Sequence, residues 1–292
     1  MRRALTALAV VAAVIWLAAP VLRAYQQVAP RPSEPARPSG LALEDVSFRS
    51  PDGLLRGWLG RGRAGAPAVV LVHGYRGSRD EMTPWAEFLL RAGYTVLLFD
   101  TRGCGQSEGR TVGLGVTEPR DISAAVAAAM KGGDTAKVAV LGISLGAGAA
   151  ILAAASDPSI AAVVADSAWT DHDFMLDRLG TIRVGPFQIP LAPDGPLAVD
   201  AFVGTDVRAA RPLEAIARVA PRPILLIHSA DDDNATTPVA GAHALFAAAG
   251  APKDLWIAPH GGHVGAINSE PDEYRTRVLA FLAGALGTAP PR

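Results

Sequence analysis

The stretch KVAVLGISLGAGAAILAAA, residues 137–155, decides how the rest of the chain is read. Lys137 to Leu141 is a short β-rich apolar run of the kind that forms a strand covered on both faces. Leu145 to Ala155, rich in Ala and Leu, suits a helix. Between them stands Gly142-Ile143-Ser144-Leu145-Gly146. A turn this tight between strand and helix imposes strained angles on Ser144 and thrusts its hydroxyl outward. The glycines two before and two after let the turn pass close to its neighbours, and the helix N-terminus points at the serine.

Outward from this unit, strand and helix signals alternate. Leu43 to Arg49 alternates apolar and polar residues, Pro51-Asp52-Gly53 is a turn signal, and Leu54 to Leu59 reads as a returning strand. Ala68 to Val72 is a continuous apolar run, Trp85 to Ala92 a helix stopped by Gly93, Tyr94 to Phe99 a strand and Arg120 to Met130 a helix. Downstream, Ile160 to Ala165, Pro223 to Ile227 and Asp254 to Ile257 read as strands, and Asp272 to Leu286 as a closing amphipathic helix. This order predicts an α/β fold, with a mostly parallel central sheet and helices on both faces. One stretch breaks the rhythm. Trp169 to Pro212 is too long for an ordinary connection and, with Met175, Leu176, Phe187 and Phe202, too apolar for a solvated loop. It is expected to be a lid insertion; a structural insertion far from the chemistry is the alternative.

The 292 residues are half hydrophobic and 19% charged, which supplies a large core and excludes global disorder. Net charge is −1 with no basic run, so nucleic acid is not an expected partner. The one cysteine, Cys104, forms no internal disulfide and no cysteine-based metal site. Three segments are expected: residues 1–24 as an N-terminal signal anchor or transmembrane helix, 25–40 as a Pro-rich linker that lifts the domain off the membrane or, alternatively, is a loop with no spacer role, and 41–288 as the catalytic domain. Arg2 and Arg3 precede an apolar run from Ala4 to Leu22 of about the length that spans a bilayer. The arginines place that end in the cytoplasm and the domain on the extracytoplasmic side. A cleaved signal peptide, which would leave a secreted protein, and a buried soluble helix are the other readings.

A serine hydroxyl needs a base, and the base needs an orienting acid. Among six histidines, His263 lies in Pro259-His260-Gly261-Gly262-His263, directly after the last strand signal; His260 is the competitor. A two-histidine metal site at His260 and His263 lacks the carboxylate pattern that would accompany it. The acid is expected after the penultimate strand, where Asp231-Asp232-Asp233 follows Ile224 to Ile227. Asp232 is favoured, with Asp231 and Asp233 as alternatives. Gly74 allows a tight turn after Val72-His73, so that the backbone N–H of Tyr75 and that of Leu145 form the oxyanion hole. The Tyr75 ring and Trp169 are candidate substrate-binding residues. His73 and His228 read as structural. Asp100 to Gly109 fails the dinucleotide fingerprint, because Glu108 stands where the last glycine is required.

Together the His73-Gly74-Tyr75 loop, the Asp100-x-Arg102-Gly103-x-Gly105-x-Ser107-x-Gly109 loop, the Gly142–Gly146 elbow, Pro221 to His228, and Gly262-His263 with Tyr274 resemble the α/β-hydrolase superfamily. More narrowly, Gly77 to Asp80 and Ala165 to Ala168 resemble its membrane-anchored serine aminopeptidase-like and esterase-like group. The resemblance, which covers about Leu41 to Leu286, implies Ser144 as nucleophile, His263 as base, and Tyr75 and Leu145 as oxyanion donors. The chain departs from the pattern at Ser229, where the group has glycine, and at the later Pro238, which bears on the acid. The expected activity is hydrolysis of an ester-type bond, carboxylic ester or thioester, in a small-molecule or acyl substrate, without a cofactor. A peptidase or amidase using the same residues, with Asp171, Asp173 or Asp177 holding an α-amine, is one alternative. A non-catalytic hydrolase-like binding protein is another.

Overall fold

The continuous apolar runs become the interior of one sheet. In the computed structural model, which describes residues 2–133, 135–179, 181–190 and 195–287, its strands are β1 (Leu43–Ser50), β2 (Gly53–Gly60), β3 (Ala68–Val72), β4 (Thr95–Phe99), β5 (Val138–Ile143), β6 (Ile160–Asp166), β7 (Ile224–Ser229) and β8 (Lys253–Ala258). Their order is β8-β7-β6-β5-β3-β4-β2-β1. β1 and β2 form an antiparallel hairpin and β2 runs antiparallel to β4; the remaining pairs are parallel. This is the α/β-hydrolase fold expected from the sequence.

Strand side chains alternate between two cores, as a period of two requires. On one face Val70, Val72, Leu97, Phe99 and Val140 pack under α3 (Glu118–Gly133), α4 (Leu145–Ser156) and α7 (Val239–Ala248). On the other, Val69, Leu71, Leu98 and Leu141 pack under α2 (Thr83–Arg91) and α8 (Pro271–Leu286). Each fully buried aliphatic side chain contributes about 1.5–3 kcal/mol relative to exposure. The exposed edge strand β1 shows the alternation of a half-buried strand instead.

The insertion contains α5 (Asp173–Leu179), a hairpin of Thr181–Val184 with Phe187–Pro190, and α6 (Gly195–Val203). Residues 180 and 191–194 of the insertion, and residue 288 at the expected domain end, lie outside the described residues.

The N-terminal segment differs from expectation. Helix α1 runs from Arg2 to Val28, past the expected boundary at residue 24, and its last turns bury Ala24 and Val28 against Leu114, Leu176 and Val199. The Pro-rich segment is no free spacer. Arg31–Pro32 pairs in parallel with Cys104–Gly105, Ser33 N–H donates to the Gly105 carbonyl at 3.0 Å, and Ala36 N–H donates to Asp80 at 3.0 Å. Proline holds the chain extended, and the residues between prolines supply the N–H groups that pair.

One buried polar line ties both halves of the second core together. Trp85 Nε1 donates to the Tyr274 hydroxyl at 2.8 Å, and that hydroxyl donates to Asp166 Oδ2 at 2.9 Å. Ser167 Oγ donates to Asp166 Oδ1 at 3.0 Å. Burial pushes the Asp166 carboxyl up to about 6 from its ordinary 3.8, although the bonds from Tyr274 and Ser167 oppose the rise. The folded state therefore binds this proton more tightly than the unfolded chain, and the stability so gained is lost as pH rises through that window. The unfolding free energy of wild type is expected to fall between about pH 4 and 6, and Asp166→Asn to flatten that slope. Denaturant titrations of both proteins across the range check it. Tyr274→Phe leaves the carboxylate short of a donor and is expected to cost about 1–3 kcal/mol in the same assay.

Candidate active site

The turn between β5 and α4 holds Ser144 at φ +51° and ψ −116°, a region L-residues seldom occupy. Two close approaches enforce it. A Cβ on Gly142 would lie 2.3 Å from the Gly146 carbonyl oxygen, and one on Gly146 would lie 2.5 Å from the carbonyl oxygens of both Val72 and His73. No side chain fits at either position, so the start of α4 rests directly on the end of β3. Ser144 N–H donates to the Asp166 carbonyl at 2.9 Å, which ties the turn to β6 as well.

Three distant segments meet at the serine. His263, in the loop after β8, has Nε2 2.9 Å from Ser144 Oγ. Its Nδ1 lies 2.9 Å from Asp232 Oδ2 and 3.1 Å from Thr237 Oγ1. The Asp232 side chain is sealed from solvent. A second imidazole shares it: His228 Nε2, at the end of β7, stands 3.1 Å from Asp232 Oδ2 and 2.9 Å from the Thr237 carbonyl. Burial alone would raise the Asp232 carboxyl, but hydrogen bonds from His228 and His263 and from the Asn234 amide outweigh it. They hold the carboxyl well below the usual carboxylate range.

The aspartate run is thereby sorted by position. Asp232 turns inward. Asp231 turns outward and accepts from the backbone of Gly262 at 2.8 Å and of Gly261 at 3.3 Å, which shapes the loop presenting His263. Asp233 is exposed. His260 is exposed too, 3.9 Å from Asp231. His73 is buried; its Nδ1 donates to the Gly74 carbonyl at 2.7 Å and its Nε2 accepts from Thr101 N–H at 3.0 Å. Both bonds are structural, and they pin the Gly74–Tyr75 loop.

That loop runs along the nucleophile: a Cβ on Gly74 would sit 3.5 Å from Ser144 Cβ. Leu145 opens α4 directly behind Ser144, where backbone N–H groups have no partner within the helix. Tyr75, Leu145 and Trp169 all line a cavity of about 160 Å³ that contains Ser144. Trp169 Nε1 donates to the Leu145 carbonyl at 3.2 Å, and the indole stacks on His172 with ring centroids 3.9 Å apart. Burial pushes the His172 imidazole down to about 4, so this wall is neutral in ordinary buffers. The loop from Asp100 to Gly109 is structural: Asp100 accepts from Arg79 N–H at 2.7 Å and Gln106 N–H at 2.9 Å. A larger cavity of about 370 Å³, between Asp45, Arg56, Arg79 and Gln106, shares no lining residue with the Ser144 cavity.

Sequence reasoning missed several participants. The sequence places His228 at a strand end without its bond to Asp232, names Met175 only as an apolar lid residue, and does not mark Thr237, Leu114 or Gln27. Gln27 comes from the last turn of α1. The apolar character of 169–212 was the available signal for Met175. None marked Gln27. Among the described residues, no group of three or more His, Cys, Asp or Glu is gathered to hold a metal.

A family model described as the alpha/beta hydrolase fold matches residues 67–251. The uncharacterized protein MT2364 of Mycobacterium tuberculosis is 31% identical over 89% of this chain and 88% of its own. A segment of 67 residues is 46% identical to the thiohydrolase aneE of Aspergillus aculeatus, covering 22% of this chain and 21% of that one. The esterase Pf2001 of Pyrococcus furiosus superposes with a TM-score of 0.72 at 25% identity, covering 89% of this chain and all 100% of that one.

Because Asp232 is held low, it stabilises the fold only while ionised. That contribution is present above about pH 4 and is lost as pH falls through its folded value. Asp232→Asn is expected to make the fall in stability below about pH 4 shallower, measured by thermal unfolding in acidic buffers. An unchanged acid limb in the variant contradicts the assignment.

Proposed function

The chain belongs to the alpha/beta hydrolase family, and from that premise we propose that it is a serine hydrolase cleaving carboxylic ester or thioester bonds through an acyl-enzyme. One observation carries the reading: the unbroken line Ser144 Oγ–His263 Nε2 at 2.9 Å and His263 Nδ1–Asp232 Oδ2 at 2.9 Å, opening into an apolar cavity. Ser144 Oγ attacks the acyl carbon while His263 Nε2 takes its proton. The oxyanion is held by the N–H groups of Tyr75 and Leu145 at the N-terminus of α4. Collapse of the tetrahedral intermediate breaks the bond to the leaving oxygen or sulfur, which receives the proton from His263. Water, deprotonated by the same imidazole, then releases the acid and restores Ser144. Asp232 remains ionised throughout, holds the imidazole in the tautomer with its proton on Nδ1, and stabilises the imidazolium.

The lid bears on the peptidase alternative. Asp173 is paired with Arg208 at 2.6 Å and Arg211 at 3.0 Å, and Asp177 with Arg208 at 3.2 Å, so neither offers an uncompensated charge to an α-amine. Asp171 accepts from Thr170 Oγ1 at 3.1 Å and Asp173 N–H at 2.9 Å and is the carboxylate on which that alternative rests. A binding protein without activity has no use for the aligned Ser144–His263–Asp232 line. We place the domain on the extracytoplasmic side of a membrane, held by α1, the one helix among the described residues long and apolar enough to cross. Protection of a C-terminal tag from external protease in spheroplasts reverses that placement.

The test is labelling by a fluorophosphonate together with hydrolysis of p-nitrophenyl esters of rising chain length. Wild type is expected to label and turn over; Ser144→Ala and His263→Ala are not. Asp232→Asn is expected to lower kcat by about 10³–10⁴ through the wrong imidazole tautomer. Folded wild type that neither labels nor hydrolyses any ester overturns the proposal.

A further inference from the structure

Helix α1 is half outside the molecule and half inside the site. Residues 2–18 are exposed, with Leu5 at 61%, Leu8 at 67% and Ile15 at 61%, a length of roughly 26 Å at helical rise against a hydrocarbon core of about 30 Å. From Pro20 onward the helix turns buried faces to the protein. Its final turn then reaches the active-site loop: the Tyr75 hydroxyl donates to the Gln27 carbonyl, and Gln27 lines the Ser144 cavity. A second cavity of about 320 Å³, lined by Arg23, Gln27, Met175, Leu179 and Thr236, shares Gln27, Met175 and Thr236 with the first. The path outward from Ser144 thus runs beside α1 toward Arg23, the residue that follows the apolar run.

The lid extends this surface. Helix α6 packs on α1, and Phe202 meets Tyr25 edge-on with centroids 5.3 Å apart. Leu197 on α6 is 68% exposed and Phe187 at the hairpin 71% exposed. Apolar side chains this large and this open, on a lid whose α6 packs against α1, are surface that a lipid can cover. Aromatic rings favour the headgroup level at the end of a membrane helix, and Tyr25 follows the apolar run by three residues.

We propose that the last turn of α1 is a wall of the acyl pocket and that the substrate is an acyl ester resident in a lipid bilayer, passing to Ser144 along α1 beneath the lid. The occupant of the apolar face is the lipid surface itself. On this account α1 is retained rather than cleaved, because its removal would strip one side from the site. The proposal rests on the serine-hydrolase reading, and the experiment separates the two.

Full-length protein is reconstituted in vesicles of equal parts phosphatidylcholine and phosphatidylglycerol. It is given 4-methylumbelliferyl oleate within the bilayer or p-nitrophenyl butyrate in the water. Phe187→Asp/Leu197→Asp changes two exposed side chains that touch neither Ser144 nor His263. It is expected to lower oleate turnover by about tenfold or more while butyrate turnover stays within about twofold of wild type. The wall is tested separately with Gln27→Cys, a change that keeps the backbone carbonyl. Cys104 is buried and its thiol is pushed up to about 12, so the introduced thiol reacts alone with maleimide. Hexadecyl fluorophosphonate bound at Ser144 is expected to protect it, and methyl fluorophosphonate is not. Equal loss on both esters, no loss on either, or no protection by the long chain overturns the proposal while labelling of Ser144 leaves the hydrolase reading standing. Failure of wild type to label at all removes both.

Discussion

The structure turns on the contact between the first turn of α4 and the end of β3. Gly146 brings the helix within 2.5 Å, measured from the position a Cβ would take, of two strand carbonyl oxygens. That approach holds Ser144 at positive φ and lifts its hydroxyl away from the sheet. Everything else at the site is arranged around a hydroxyl whose position is set by backbone packing. Three parallel strands on one side of the turn, β6, β7 and β8, deliver a carbonyl, an acid and a base to it. On the other, the loop after β3 brings Gly74 and Tyr75 beside it. The strand order places the turn centrally, with β5 flanked by β3 and β6.

Buried charge is managed in two opposite ways within this small region. Asp232 is surrounded by donors, two imidazoles and an amide, and stays ionised. Asp166 accepts from two hydroxyls, and burial outweighs both of them and the nearby imidazoles of His228 and His263, so its carboxyl is pushed up to about 6. The first anion faces the imidazole that needs a counter-charge. The second braces backbone: Ser167, which donates to Asp166, also accepts from Val264 N–H at 3.2 Å, next to His263. The loop carrying the base is therefore held on both sides, by Asp231 at Gly261 and Gly262 and by Ser167 at Val264.

The pocket is a joint product of segments far apart in the chain. α1, the loop after β3, the insertion between β6 and β7, and the loop after β7 each place a side chain within it. Helix α1, long and apolar enough to cross a membrane, ends at Gln27, which lines the cavity that holds Ser144. Helix and pocket are therefore not separate modules, and the Pro-rich strand that follows α1 fixes their relation by pairing with Cys104–Gly105.

Much was legible in the residues alone because local rules decide it. Continuous apolar runs of five or six residues produce strands buried on both faces, and the runs read at 68–72, 94–99 and 137–141 formed strands at Ala68–Val72, Thr95–Phe99 and Val138–Ile143. The glycine spacing around Ser144 encodes a close approach that no other residue permits. The placement of His263 after the last strand follows from chain order within the resembled family. What only tertiary structure decided involves choices between chemically equivalent residues or contacts between remote ones. Asp231, Asp232 and Asp233 carry identical groups, and only the direction each side chain takes from the turn after β7 selects the one sealed against His263. Whether 25–40 is a spacer or a loop without that role was not legible, because composition reports stiffness and says nothing of the strand edge at Cys104 with which Arg31–Pro32 pairs. Gln27 carried no signal, since its role comes from a helix end meeting Tyr75 across 48 positions of sequence. Backbone geometry and burial are written locally; the partner of a polar group is settled only when the chain closes on itself.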